Sequence, residues 1–248
     1  MIGSKKIACV IPARLKSSRF PRKMLSTLKG VPILQWIWDK AVKMPEFDEV
    51  IIAVDADETA ELVHRFGGRS VRTSEHCASG TDRLIEVMRD HQIEADIWVN
   101  WQGDEPLIDH SIIRDLLQTC ATDGCDVWTL KKKMAREAVM SPHTVKVVCC
   151  DRGEALYFSR SPIPFYRDQE PQFYFKHIGL YAYTQEALAQ IAQMPPSDLE
   201  CAEQLEQLRF LQNRLRIKVH ETMQEVQGID LPEHLALLEQ SVQESTRP

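Results

Sequence analysis

The sequence predicts an α/β protein: a mostly parallel sheet flanked by helices, with an inserted mixed β subdomain near the middle. Two observations predict it. Through the first half, short apolar runs alternate with stretches of helical periodicity, which is how βαβ units read when their strands are buried on both faces. From about residue 141 to about residue 184 the alternation stops, aromatics and prolines thicken, and short strands follow one another. A hydrophobic content of 44%, a charged content of 27% and a length of 248 residues suit one globular domain with a sizeable insertion. The expected organisation is a single domain over residues 1–248, with the insertion around 141–184.

In order along the chain, KIACVIPA reads as a buried strand that ends at Pro12 and runs into a polar loop. VPILQWIWDKAVKM places apolar residues at helical spacing, and DEVIIAVD is the second buried strand. TAELVHRFGG is a helix whose closing glycines suit a C-terminus. TDRLIEVMRDH repeats the helical pattern, ADIWVNWQGDEP returns to a strand, SIIRDLLQTCATDG is helical, and CDVWTLKK is again a strand. Beyond the aromatic middle, TQEALAQIAQM and LECAEQLEQLRFLQNR read as helices, RIKVHETM as a strand and PEHLALLEQSVQE as the last helix.

The formal net charge of −6 provides no global basic field, which excludes a nucleic acid duplex as partner. An anionic substrate must be held by a local cluster of Arg and Lys. No segment approaches twenty uninterrupted apolar residues, and the N-terminal apolar run is too short for a signal-peptide core. The expectation is a cytoplasmic protein with no stable membrane association. The seven cysteines lack the paired short spacings of a zinc site. They read as reduced thiols in small core positions, with Cys149 and Cys150 pointing to opposite faces of a strand.

In sheets of this kind, sites lie beyond the carboxyl ends of the strands. That rule points to IPARLKSSRFPRK, to NWQGDEP and, more weakly, to the loop carrying SEHCASGTDR. The first loop presents Arg14, Lys16, Arg19, Arg22 and Lys23, a cation density that suits a polyphosphate. Taken alone it reads more readily as a solvated basic loop. Without a glycine-rich Walker pattern, phosphate would be gripped by side chains and non-glycine backbone. Asp104, after the apolar strand, can hold Mg²⁺ against a triphosphate, and Gly103 allows close backbone approach. It can equally be a turn residue. Asp230, between a strand and the last helix, is a second metal candidate and also a natural helix N-cap.

The set taken in order carries more than its parts. IPARLKSSRFPRKML, SGTDR, NWQGDEP, VKVV, ALYFSRSPIP, KHIGLYAY, LEQLR and GIDLPE together resemble the 3-deoxy-manno-octulosonate (Kdo) cytidylyltransferase family, from about residue 6 to about residue 240. ALYFSRSPIP with KHIGLYAY is the most discriminating part. The resemblance implies a nucleotide-diphospho-sugar-transferase type of fold, a Mg²⁺ requirement, and a homodimer built through the inserted middle region. It implies that CTP and Kdo are the substrates and that CMP-Kdo and pyrophosphate are the products, for lipopolysaccharide synthesis.

By matching position, the resemblance assigns Pro12, Ala13, Arg14 and Lys23 to the cytidine and phosphates. Ser79, Gly80, Thr81 and Arg83 would shape the cytosine-side wall with Gln102. Asp104 and Asp230 would be the metal ligands, with Arg14, Lys23 and Asp104 serving catalysis. Arg160, His177, Tyr181, Glu206 and Gln207 would line the sugar-acid pocket. A bidentate Arg160 suits the Kdo carboxylate, and the other four suit its hydroxyls. His177 reads equally as a structural histidine, and one of Glu206 and Gln207 as a solvated helix residue. Trp101, Tyr157 and Phe158 read as core or wall. Two positions depart from the family pattern: Arg22 stands where relatives commonly have Gly, and Leu231 where they commonly have Thr. Rival readings are a cytidylyltransferase for another acceptor, a metal-dependent glycosyltransferase, and an inactive sugar-nucleotide sensor.

Overall fold

The computed structural model describes residues 2–16, 20–134, 138–168 and 173–242. In chain order the elements begin with β1 (Ile7–Ala13), a 3₁₀ turn (Lys23–Leu25), β2 (Thr27–Leu28), β3 (Val31–Pro32) and α1 (Ile33–Ala41). Next come β4 (Glu49–Val54), α2 (Asp57–Arg65), β5 (Ser70–Arg72), α3 (Gly80–Asp90), β6 (Ile97–Asn100) and α4 (His110–Leu117). They are followed by β7 (Val127–Met134), β8 (Lys146–Cys149), β9 (Ala155–Ser159), β10 (Tyr174–Thr184) and α5 (Gln185–Ile191). α6 (Asp198–Glu203), α7 (Gln207–Gln212), β11 (Ile217–Glu221) and α8 (Pro232–Ser241) complete the chain. Backbone contacts divide it into two compact units, Met1–His110 with Val226–Pro248, and Ser111–Glu225. The segment 141–184 lies wholly inside the second.

In the first unit β6, β1, β4 and β5 lie side by side and run parallel. Every residue of β1 and of β6 is buried, so these apolar runs meet the requirement of strands covered on both faces. The registers pair Ala13 with Val54 and Val10 with Asn100. The carboxyl ends of β1, β4 and β6 therefore open at one edge, where the loops after them gather. α3 packs on β1, β4 and β6, while α2 packs on β4 and β5. α2 buries Thr59, Leu62 and Val63 at helical spacing, carries Asp57 and Glu58 in its first turn, and is followed by Gly67 in the left-handed region. The strand that sequence ends at Pro12 runs one residue further. A two-residue hairpin between β2 and β3 turns through Lys29 and Gly30, both with positive φ. Lys-Gly is a weaker signal for such a turn than Asn-Gly, and the hairpin is not legible from sequence.

The second unit is mixed. β11 pairs with β7 in parallel, β7 with β10 antiparallel, and β10 with β8, which forms an antiparallel hairpin with β9. Two expectations are corrected here. The helix read over LECAEQLEQLRFLQNR is broken into α6 and α7 at Gln204, which sits in the left-handed region. The reason is tertiary. Arg160 donates from Nε to the carbonyl of Glu203 (2.6 Å) and from Nη2 to that of Gln204 (3.2 Å), satisfying the end of α6. The Glu203 carboxylate accepts from Ser159 Oγ (2.6 Å) and the Arg160 amide (2.9 Å). Cys150 lies past the end of β8, after a register shift between Val148 and Cys149. The two cysteines therefore do not share one strand, and both line one small cavity. All seven cysteines are free. Among the described residues no helix is long and apolar enough to cross a membrane.

Candidate active site

At the carboxyl edge of the first unit's sheet, a cavity of about 320 Å³ is lined by Pro12, Arg14, Lys16, Lys23, Met24, Ser79, Gly80, Arg83, Gln102, Gly103, Asp104 and Asp230. Pro12 comes from the end of β1, and Arg14 and Lys16 from the loop after it. Lys23 begins the 3₁₀ turn and is buried. Arg14 is exposed, and its one hydrogen bond among the described residues goes to the Ala78 carbonyl (3.3 Å). Lys16 pairs with Glu75 at 2.8 Å on the surface, which raises the lysine and lowers the carboxyl from their ordinary values. Arg19 lies outside the described residues.

Arg22 resolves one of the two departures. Its φ of 58° and ψ of 26° are left-handed, the conformation that glycine adopts without strain. Arginine holds this conformation at a cost of about 1 kcal/mol. Its guanidinium does not line the cavity described above but pairs with Glu58 of α2.

The two aspartates converge although 126 positions separate them, because the Ile229 amide donates to the Asp104 carbonyl at 2.9 Å. Asp230 is not the N-cap of α8. That place is held by Leu231, whose side chain makes no capping bond. Lys23 Nζ lies 2.5 Å from Asp104 Oδ2, an ion pair whose side chains are 9% and 26% exposed. Trp101 donates its indole N–H to the Glu105 carbonyl (3.1 Å) and closes the turn between them. Gly103 is required by packing: a Cβ there would meet the Pro12 carbonyl at 2.5 Å and Met24 Sδ at 3.1 Å. The close approach expected for a ligand is thus made by the neighbouring strand.

Beside the aspartates, Glu105 is half-buried, and its buried Oε2 has no hydrogen-bond partner. Burial first, then the charges of Asp104 and Asp230, push its carboxyl up to about 8 against the opposing pull of Lys23. Such crowding of carboxylates is relieved by a hard cation on oxygen ligands. Among the described residues no group of three or more His, Cys, Asp or Glu could form a protein-only metal cage. Two carboxylates facing a cavity rich in cations fit Mg²⁺, which keeps waters and takes substrate phosphate oxygens for the rest of its shell.

The opposite wall is built by the start of α3. Ser79 caps it through a capping box with Asp82: Asp82 N donates to Ser79 Oγ (3.0 Å), and the Ser79 amide donates to Asp82 Oδ2 (3.0 Å). Gly80 faces the amides of Asn100 and Gln102, where a Cβ would stand 3.2 Å from Asn100 Nδ2. Gln102 Nε2 donates to Asn100 Oδ1 (3.3 Å), which orients the Gln102 amide. Arg83 is fully buried, bonded to Asp55 Oδ2 (3.2 Å) and to the Thr73 hydroxyl. Asp55 Oδ1 in turn accepts from the Leu15 amide at 2.9 Å. Arg83 therefore ties this wall to the loop after β1.

Of the residues expected at the nucleotide, Ala13 and Thr81 are buried and do not line the cavity, whereas Pro12, Arg14, Lys23, Ser79, Gly80, Arg83 and Gln102 do. Sequence reasoning missed Asn100 and Asp55, whose strand-end positions were the available signal, and Met24, which had none.

The five residues expected at a sugar acid all lie in the second unit. His177 and Tyr181 sit on β10 with ring centroids 5.4 Å apart. Glu206 and Gln207 open α7. Tyr181 Oη and Gln207 Nε2 are buried without hydrogen-bond partners. Burial, then Tyr183 and Glu206, raises the Tyr181 phenol well above its ordinary value, against the opposing pull of the nearby Thr129 hydroxyl, which lies outside hydrogen-bond geometry. Burial lowers His177 to about 3, so its ring is neutral at physiological pH. Gln207 is buried, and Glu206 accepts from Arg209 Nη2 (3.2 Å), so neither is simply solvated. Arg160 differs from expectation. Three of its five N–H donors serve the carbonyls of Pro142, Glu203 and Gln204, which leaves one N–H on each Nη. Lys146, fully buried, donates to the carbonyls of Ser141 (3.1 Å), Thr144 (2.7 Å) and Arg160, a further anchor that sequence reasoning missed.

Residues 8–217 match the family model described as cytidylyltransferase. The fold and the cavity are those of a nucleotidyltransferase of this class. The 3-deoxy-manno-octulosonate cytidylyltransferase of Geotalea daltonii is 44% identical over 240 residues, covering 92% of this chain and 94% of that one. The Escherichia coli protein of the same name is 42% identical over 228 residues, covering 92% of each. A solved structure of a CMP:2-keto-3-deoxy-manno-octonic acid synthetase complexed with CTP has a TM-score of 0.90 at 40% identity, over 96% of this chain and 100% of that one. A cytidylyltransferase from Leptospira borgpetersenii, 15% identical with a TM-score of 0.63 over 95% of this chain and 85% of that one, shares the fold. The chain belongs to the 3-deoxy-manno-octulosonate cytidylyltransferases.

Proposed function

We propose that this chain transfers CMP from CTP to Kdo, giving CMP-Kdo and pyrophosphate for lipopolysaccharide synthesis, and that it does so in the cytoplasm as a homodimer. The observation that carries the reading is the first unit's cavity, where Arg14, Lys16 and Lys23 meet two carboxylates across from an oriented Gln102 amide. A triphosphate needs the cations, and a pyrimidine edge needs an amide fixed in one orientation. The anomeric hydroxyl oxygen forms a bond to the α-phosphorus, and the bond from that phosphorus to the bridging oxygen breaks. Pyrophosphate leaves with the electron pair, and the hydroxyl proton goes to solvent. Arg14 and Lys23 stabilise the charge building on the leaving group. Asp104 and Asp230 would hold Mg²⁺, which when bound neutralises phosphate charge and acidifies the attacking hydroxyl. The enzyme contributes mainly positioning and electrostatics.

In the second unit, the unpartnered polar atoms of Tyr181 and Gln207 support a site for a polyhydroxylated acid, since buried polar groups otherwise carry a desolvation cost. The two remaining N–H donors of Arg160 suit its carboxylate. The homodimer is supported by exposed apolar side chains of the same unit, among them Phe165, Phe173, Leu156 and Met140. Part of the expected interface, residues 169–172, lies outside the described residues.

Purified protein with CTP, Kdo and Mg²⁺ should yield CMP-Kdo by mass spectrometry, at initial rates far above those with UTP, ATP or GTP. Absence of CMP-Kdo, or equal rates with UTP and CTP, would overturn the reading. Light scattering at micromolar concentration should give a dimer, and a monomer near 28.5 kDa would remove that part of it.

A further inference from the structure

We propose that Thr129 is a positioning residue: it fixes His177 as the tautomer protonated on Nε2 and leaves Nδ1 as a hydrogen-bond acceptor for a hydroxyl of the sugar acid. The inference rests on the sugar-acid reading of the second unit. It begins with a backbone irregularity. β10 pairs with β7 through Ile178 opposite Leu130 and then Tyr181 opposite Thr129, so Gly179 and Leu180 have no partner on β7. Such a bulge leaves carbonyls outside the ladder and re-aims the side chains around it. The fully buried Thr129 hydroxyl fills it, 3.0 Å from the Ile178 carbonyl and 2.9 Å from the Leu180 carbonyl.

His177 Nε2 stands 3.0 Å from the same oxygen. A hydroxyl carries one proton and two lone pairs, and a carbonyl can only accept. With two carbonyls competing for the Thr129 proton, the third contact is satisfied only if His177 donates its Nε2 proton to Thr129. The alternative would set lone pairs against each other at hydrogen-bond distance. The neutral ring then carries its free lone pair on Nδ1, to which no described residue donates. Phe158 holds the ring edge-on at 5.0 Å and Tyr181 meets it tilted at 5.4 Å, so the tautomer is presented in one orientation. Burial keeps the ring from taking a second proton near neutral pH. A sugar acid rich in hydroxyls needs such an acceptor. The buried Gln207 amide nitrogen can only donate.

The test reads the tautomer directly. Histidine-¹⁵N-labelled wild-type protein, with His177 assigned by the signal lost in His177→Gln, should give the two-bond correlation pattern of an Nε2-protonated ring. An Nδ1-protonated ring, or a rapid mixture of both, overturns the proposal. In kinetics, Thr129→Val should raise KM for Kdo about tenfold while KM for CTP stays unchanged, and Thr129→Ser should restore it. An unchanged KM for Kdo in folded Thr129→Val also overturns it. If the valine variant does not fold, the wild-type spectrum decides. Wild-type protein that forms no CMP-Kdo would instead remove the sugar-acid reading, an outcome separate from the tautomer measurement.

Discussion

Replacing Asp104 and Asp230 by Asn, singly and together, tests whether the cavity works as one metal-binding unit. Each single variant should lose turnover by about a hundredfold or more, since removing groups that merely orient a metal ligand already costs 10–100-fold. The double variant should be little worse than either single one, because both changes remove the same ion. Stability should separate the two. Asp104 pairs at 2.5 Å with a lysine whose side chain is 9% exposed, while its own side chain is 26% exposed. Breaking a fully buried pair costs 3–5 kcal/mol, and the partial exposure together with the remaining Asn carbonyl reduces this to about 1–3 kcal/mol. At roughly 2–4 °C per kcal/mol for a chain of this length, the Tm of Asp104→Asn should fall by several degrees. The assays are pyrophosphate release across a Mg²⁺ series, thermal unfolding, and CTP titration with and without Mg²⁺. Without Mg²⁺, CTP affinity should hold or improve, because a carboxylate that repels phosphate is gone. Near-normal turnover of either single variant at modest Mg²⁺ would refute the shared site.

Three further outcomes follow from the same geometry. Leu231→Thr puts a capping hydroxyl at the uncapped N-terminus of α8 and should add about 1 kcal/mol, raising Tm by about 2–4 °C in thermal unfolding while turnover is retained. Gly103→Ala forces a methyl against the Pro12 carbonyl and should cost about 1–3 kcal/mol in urea unfolding, with weaker CTP binding by titration. Burial lowers His177 to about 3 and His220 to about 4, both below the ordinary 6.5. The unfolded chain therefore takes up protons that the fold refuses. Stability should fall as pH drops from about 6.5 toward 4, by up to about 1.4 kcal/mol per unit for each histidine. His220→Gln, which keeps a donor for Thr119, should give a shallower decline of the urea midpoint between pH 7 and 5.

The sequence by itself determined the parallel half of this protein. Its strands are continuous apolar runs bounded by polar loops, and burial on both faces demands that composition in any context. The same rule located the Arg14–Lys23 loop and Asp104, since sites gather at strand carboxyl ends. Ordered motifs then carried the class of reaction and its substrates. Tertiary structure decided what depends on partners distant in the chain. Whether Asp230 was a ligand candidate or a cap turned on one backbone bond from Ile229 to Asp104 and on Leu231 holding the cap position. The LEQLR helix broke because Arg160, more than 40 positions earlier, satisfies the carbonyls at the end of α6. Arg160 thereby commits three of its five N–H donors to backbone carbonyls, which no sequence pattern shows. Thr129 reads as an ordinary strand residue until a bulge in the neighbouring strand turns two carbonyls and a histidine onto its hydroxyl. Periodicity and composition are local averages, and they register which face of an element is buried. A hydrogen bond between residues 48 or 125 positions apart depends on angles and distances that no local average contains.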